Sequence, residues 1–86
     1  MFKQFHVYIL QSQTTGKYYT GYTSDIESRL WEHNNKISLF TKSGVPWKLV
    51  HFETYSSSTE ALKREKYIKR QKSRLYIESL ILKNID

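Results

Sequence analysis

Tyr8 and Tyr19 stand in two short runs, Val7-Tyr8-Ile9-Leu10 and Lys17-Tyr18-Tyr19-Thr20-Gly21-Tyr22-Thr23, joined by a Ser-Gln-Thr-Thr-Gly segment. The runs are apolar, β-branched and aromatic, and Gly16 in the connection is available for a positive φ, which together signal a β-hairpin. Alternate side chains share a strand face, so Tyr8 goes with His6 and Leu10, and Tyr19 with Gly21 and Thr23. A suitable register sets two phenols near each other, with bare backbone at Gly21 beside them. A phenol oxygen can hydrogen-bond phosphate or water, and acts as a base when its pKa is lowered. Taken singly, each tyrosine is also an ordinary strand residue that packs on a half-buried face.

Three more polar groups come from helical segments. Arg29 and His33 are four apart on one stripe, and Glu65 falls within the apolar stripe of a later helix, among Ala61, Leu62 and Ile68. A carboxylate there needs a partner: a metal, an arginine, several donors, or Lys69 one turn on. Phosphodiester hydrolysis requires a positioned water, a base, positive charge on the pentacovalent phosphate and usually a divalent metal. Tyr8, Tyr19, Arg29, His33 and Glu65 contain the types for each part. Competing chemistries find little support. The chain has no cysteine, so disulfides and thiolate sites are excluded. Its histidines, His6, His33 and His51, form no ligand pattern, and no P-loop, G-x-S-x-G or dinucleotide fingerprint occurs.

These residues need scaffolding that 86 residues can supply only as one small domain, here taken as 1–86. The formal charge of +6 suggests a polyanionic partner. Seven of the fourteen lysines and arginines lie between Lys63 and Arg74, opposed there only by Glu65. Lys63, Arg64, Lys66, Lys69, Arg70 and Lys72, with Lys42 in an earlier loop, are the candidate nucleic-acid contacts; a merely solvated helix face is the alternative. No run is long and apolar enough to span a bilayer, and the N-terminus lacks a signal-peptide apolar region. No membrane association is expected, and a cytoplasmic location is the default.

The elements read in order. After the hairpin, at roughly 5–23, Ser24-Asp25-Ile26-Glu27 has the form of a capping box with Ser24 as the cap, and Asn34-Asn35-Lys36 ends the helix. Residues 35–46 read as a loop, more a connection than a binding surface. Trp47–Tyr55 is a strand by content and alternation. Ser57 and Glu60 cap the basic helix, and Ser73 caps a last helix whose Ile77, Leu80 and Ile81 cover the sheet. The fold expected is α/β (α+β): a small three-stranded antiparallel sheet flanked by about three helices, in the order β-β-α-β-α-α.

The separated residues together resemble the GIY-YIG nuclease domain, in particular the small stand-alone bacterial kind related to incision nucleases. His6-Val7-Tyr8 corresponds to the first signature half and Tyr19-Thr20-Gly21 to the second, eleven residues on. Arg29 matches the family's arginine, His33 and Asn34 follow one turn later, and Glu60-Ala61 through Glu65 to Ile68-Lys69 matches the glutamate helix E-A-x-x-x-E-x-x-I-K. His6 replaces the first glycine and Thr20 the second isoleucine; a threonine suits the strand equally well.

The resemblance implies a metal-dependent endonuclease hydrolysing DNA, with RNA not excluded. It implies Mg²⁺ or Mn²⁺ on Glu65, Tyr19 as general base, and Tyr8 orienting the attacking water. Arg29 would neutralise phosphoryl charge, and His33 would hydrogen-bond the tyrosine, the water or the phosphate. With no separate targeting domain, recognition by nucleic-acid structure is expected over recognition by sequence. Two other readings stay open. One is a non-catalytic nucleic-acid-binding module. The other is an accessory interaction protein for a repair partner, which an exposed apolar patch around Trp31 or Trp47 would favour.

Overall fold

β1 (Phe5–Ser12) and β2 (Tyr18–Thr23) pair antiparallel as expected. β3 (Trp47–Tyr55) pairs antiparallel with the other edge of β1, giving the sheet order β2-β1-β3. The structure is a computed structural model and describes residues 3–83; the ends of the expected 1–86 domain, residues 1–2 and 84–86, lie outside the described residues. Gly16 supplies the expected left-handed turn residue, with φ +76°. Ser12 closes the turn by accepting from the Thr14 and Thr15 amides while its hydroxyl donates to the Gly44 carbonyl, 2.6 Å away. Thus the hairpin is tied to the loop before β3.

The alternation of β1 divides the protein into layers. Val7 and Ile9 point to one side, where they are buried with Ala61, Ile68 and Leu80 from α2 (Ser58–Gln71) and α3 (Arg74–Leu82). Tyr8 and Leu10 point to the other, where they cluster with Trp47, Tyr19, Leu49 and with Leu30 of α1 (Ile26–Asn34). The register with β3 slips between Ile9 and Leu10, leaving Val50 as an extra residue. This bulge lets Val50 pack with the α2–α3 cluster while Leu49 packs with the Tyr8 cluster.

Helix starts follow the sequence with one correction. Ser57 accepts from the Glu60 amide at 3.1 Å, and Ser73 from the Tyr76 amide at 3.1 Å, as expected. At α1, however, the cap is Asp25, not Ser24. The Asp25 carboxylate accepts from both the amide and the hydroxyl of Ser28, at 3.1 and 3.0 Å. Two donors and the positive helix end favour the anion over a serine hydroxyl. Among the described residues no helix is long and apolar enough to cross a membrane.

Candidate active site

Register brings the two tyrosines together. Tyr8 sits opposite Gly21, and Leu10 opposite Tyr19, so both phenols emerge on the α1 face with ring centroids 6.4 Å apart. Gly21 is what gives Tyr8 room: a Cβ there would meet the Tyr8 hydroxyl at 2.6 Å. His6, in place of the family glycine, does not fill that space. Its Nδ1 pairs with Thr54 Oγ1 at 2.9 Å and its ring stands edge-on to Phe52, toward β3.

α1 contributes the next two groups. Its buried residue is not an aliphatic but His33, which is fully enclosed. One ring nitrogen, Nε2, is 3.0 Å from the Tyr8 hydroxyl, and the other, Nδ1, is 2.6 Å from Thr41 Oγ1. The ring also lies 5.0 Å from that of Tyr19. Asn34 locks this end of the helix to β3, accepting from the Trp47 amide at 2.6 Å and donating to its carbonyl at 3.0 Å. Arg29, one turn earlier, donates to Glu32 at 3.0 Å, and its positive charge acts on Tyr8 in favour of the phenolate.

Burial sets the protonation states. It pushes the Tyr8 phenol up to about 12, because enclosure disfavours the phenolate more than Arg29 favours it. Burial likewise lowers His33 to about 4, with Arg29 adding to the effect, so the imidazole is neutral near pH 7. Tyr8 is therefore a protonated, oriented phenol. Tyr19 is the less enclosed of the two, opening on a groove lined by Lys17, Phe40, Ser43 and Trp47.

Thr41 was not legible as a site residue, since 35–46 reads as a connection. The structure makes that segment part of the site. Thr41 is buried, its hydroxyl bonds His33, and its carbonyl accepts from the Trp47 indole at 2.7 Å. The neighbouring Lys42 is exposed in a short 3-10 helix, Lys42–Gly44.

On α2 the inward stripe is Ala61, Arg64, Glu65 and Ile68, with two charged residues between two apolar anchors. Glu65 is mostly buried, its side chain 12% exposed, and it pairs with Lys69 at 3.3 Å. Its charge bears on Tyr8, raising the phenol pKa. Arg64 differs from the expectation of a free surface cation. It makes a two-pronged contact with Glu53 at 2.8 and 3.1 Å and donates to the Tyr76 hydroxyl at 3.1 Å. An arginine held in this planar fork is committed to joining α2 to β3 and α3. Lys63, Lys66 and Arg70, at i, i+3 and i+7, remain as an exposed outer stripe, and Lys72 ends the helix with φ +45°.

The description of the GIY-YIG catalytic domain matches residues 4–77 of the chain. The chain belongs to the GIY-YIG family. This GIY-YIG protein is 42% identical over 76 residues to a UPF0213 protein of Halobacterium salinarum, covering 87% of this chain and 96% of that one. A UPF0213 protein of Staphylococcus epidermidis is 47% identical over 64 residues, covering 73% and 77% of the two chains. The solution NMR structure of a UPF0213 protein from Bacillus halodurans superposes with a TM-score of 0.60 at 33% identity, over 94% of this chain and 85% of that one. The GIY-YIG family is a nuclease superfamily whose members typically use a divalent metal and act on nucleic acid.

Among the described residues of this GIY-YIG protein, no three acidic, histidine or cysteine side chains form a metal cage. One enclosed carboxylate suits a small hard cation that keeps water and takes up substrate phosphate oxygens. Glu65 fits that description: its carboxylate is mostly buried, and its charged partner Lys69 comes from a half-exposed side chain. The residues present fit a divalent cation taken up together with substrate, and Glu65 would be the residue to hold it.

Proposed function

We propose that this chain is a metal-dependent endonuclease that hydrolyses phosphodiester bonds in DNA, choosing its target by nucleic-acid structure more than by sequence. One observation carries this reading. Tyr8, Tyr19 and His33, from three different elements, pack ring against ring around the gap left by Gly21, with the charges of Arg29 and Glu65 both bearing on Tyr8. A structural core would fill such a place with aliphatics.

The roles follow from the surroundings. Tyr19, open to the groove, takes the proton of the attacking water. Tyr8, kept protonated, donates to that water or to a phosphate oxygen and holds it in line. Arg29 offers a planar fork to the charge that grows on the phosphoryl oxygens. Glu65 holds the divalent ion, which supplies Lewis-acid stabilisation of the phosphoryl group when bound. Lys63, Lys66, Lys69, Arg70, Lys72 and Lys42 engage the nucleic-acid backbone, which confers affinity and orientation without sequence readout.

The test is cleavage of supercoiled plasmid and branched oligonucleotides, DNA and RNA, with Mg²⁺ or Mn²⁺, by wild type and Glu65→Ala. Nicking that needs both metal and Glu65 is the expected result. Binding without cleavage, unchanged in Glu65→Ala, would replace the proposal by a binding module, the reading favoured by the Lys69–Glu65 ion pair. A second reading, docking to a repair protein, rests on the exposed apolar side chains Trp31, Ile37, Leu39 and Phe40; Trp47 is buried and offers nothing to it.

A further inference from the structure

Phe40 is the most exposed large apolar side chain among the described residues, with 84% of its surface open to water. The backbone that carries it is nonetheless fixed. Its neighbour Thr41 is buried, with its hydroxyl against His33 and its carbonyl accepting from the Trp47 indole. A ring held out from a tethered loop loses little freedom on meeting a ligand.

That ring forms one wall of a groove whose other sides include Tyr19, Trp47, Lys17, Thr15 and Ser43. Among the described residues, none of those lining the groove is acidic. An aromatic face, an ammonium group and hydroxyls in one hollow suit a flat ring joined to an anion, which is the chemistry of a nucleotide. Exposed Trp31 is placed differently: it lines another hollow together with Glu27, Ser28 and Glu32, where carboxylates disfavour a phosphate. Tyr19 links the groove to the reaction, because the same side chain that lines it is the base in the proposed mechanism. We infer that Phe40 stacks on a nucleobase next to the scissile phosphate, with Lys17 on that nucleotide's phosphate, so that the preferred DNA target carries an unpaired base there. Within a duplex both faces of a base are covered by its neighbours, and only a base released from the stack offers a face to Phe40.

The position of the cut rests on the proposed nuclease function, whereas stacking is measurable without cleavage. The probes are a DNA duplex with one unpaired 2-aminopurine and its fully paired counterpart, bound to the full-length protein in Ca²⁺ without turnover. Wild type should prefer the unpaired duplex and quench its 2-aminopurine fluorescence. Phe40→Ala should abolish the quenching and weaken binding of that duplex by about 5- to 150-fold, the range of one base–aromatic stack, while binding the paired duplex as before. Phe40→Trp should behave as wild type and Phe40→Leu as Phe40→Ala, since a π-face and not apolarity is required. Equal wild-type affinity for the two duplexes overturns the inference and returns Phe40 to the protein-docking reading. Undiminished binding of the unpaired duplex by Phe40→Ala or Phe40→Leu overturns it as well. In Mg²⁺ or Mn²⁺ the cut should fall beside the unpaired nucleotide, and a cut elsewhere counts against the assignment. Stacking that depends on Phe40 in a protein that cleaves nothing would sink the nuclease reading and leave the base-binding groove intact.

Discussion

Gly21 lies directly opposite Tyr8 in the β1–β2 ladder, and a Cβ on Gly21 would stand 2.6 Å from the Tyr8 oxygen and 2.8 Å from the carbon that bears it. The phenol is enclosed and cannot swing clear. Gly21→Ala should therefore displace the Tyr8 hydroxyl and destabilise the protein by about 1–3 kcal/mol, as overpacking does. Denaturant unfolding reads the stability. Nicking activity is expected to fall at least as far as in Tyr8→Phe.

Lys69 and Glu65 form a 3.3 Å ion pair one helical turn apart, with the lysine half exposed. Such a pair contributes only about 0.2–1 kcal/mol. Lys69→Ala should leave stability nearly unchanged while freeing the carboxylate. Half-saturation by Mn²⁺, followed in the nicking reaction or by paramagnetic broadening, is expected to shift to lower metal concentration. An unchanged metal dependence would remove Lys69 as a competitor for the site.

Glu53 gathers His51, Tyr55 and Arg64 on its two oxygens, at 2.7 to 3.1 Å. This network joins β3 to α2 one residue before Glu65. Glu53→Gln leaves the Arg64 charge half-buried without its anion and should cost about 2–3 kcal/mol in thermal or denaturant unfolding. Because the unfolding is global, cleavage measured well below the midpoint should fall less than in Glu65→Ala.

Acid should destabilise the protein in two stages. His33 is held at about 4 against an ordinary value of 6.5, so the unfolded chain binds a proton first as pH falls. Its contribution is fully present above about 6.5 and is lost as pH falls through 4. The Glu53 carboxylate is held well below its usual value of 4.5 by His51, Arg64 and Tyr55, so its contribution is present above 4.5 and is lost on further acidification. Unfolding free energy measured from pH 7.5 to 3 should slope downward from about 6.5, and His33→Gln should flatten the upper stage.

Lys63, Lys66 and Arg70 share the exposed face of α2. Replacing all three by alanine should weaken DNA binding uniformly across sequences. If all three reach phosphates, the slope of log affinity against log salt should fall by about 2–3, near 0.9 per contact. Arg64→Ala, by contrast, should change stability more than the salt slope, since Glu53 holds it.

Local chemistry is legible in the chain itself because it depends on neighbours within a turn or a strand. The hairpin, the caps at Ser57 and Ser73 and the three-stranded, three-helix order all follow from residue type and period, and the GIY-YIG resemblance adds the five polar positions. The α1 cap went to Asp25 instead of Ser24 because two competing acceptors lie one residue apart and only the settled geometry of Ser28 chooses between them. Arg64 looked like its basic neighbours, since nothing local reveals a carboxylate eleven residues away on a strand. Thr41 sat in an unpatterned loop, and its bond to His33 exists only once that loop folds back beneath α1. Tertiary structure also set the protonation of Tyr8 and His33, because desolvation is a property of what surrounds a group and not of the group's own residue type. The sequence by itself thus determined which side chains are present and which elements carry them; only packing decided which meet, and in what protonation state.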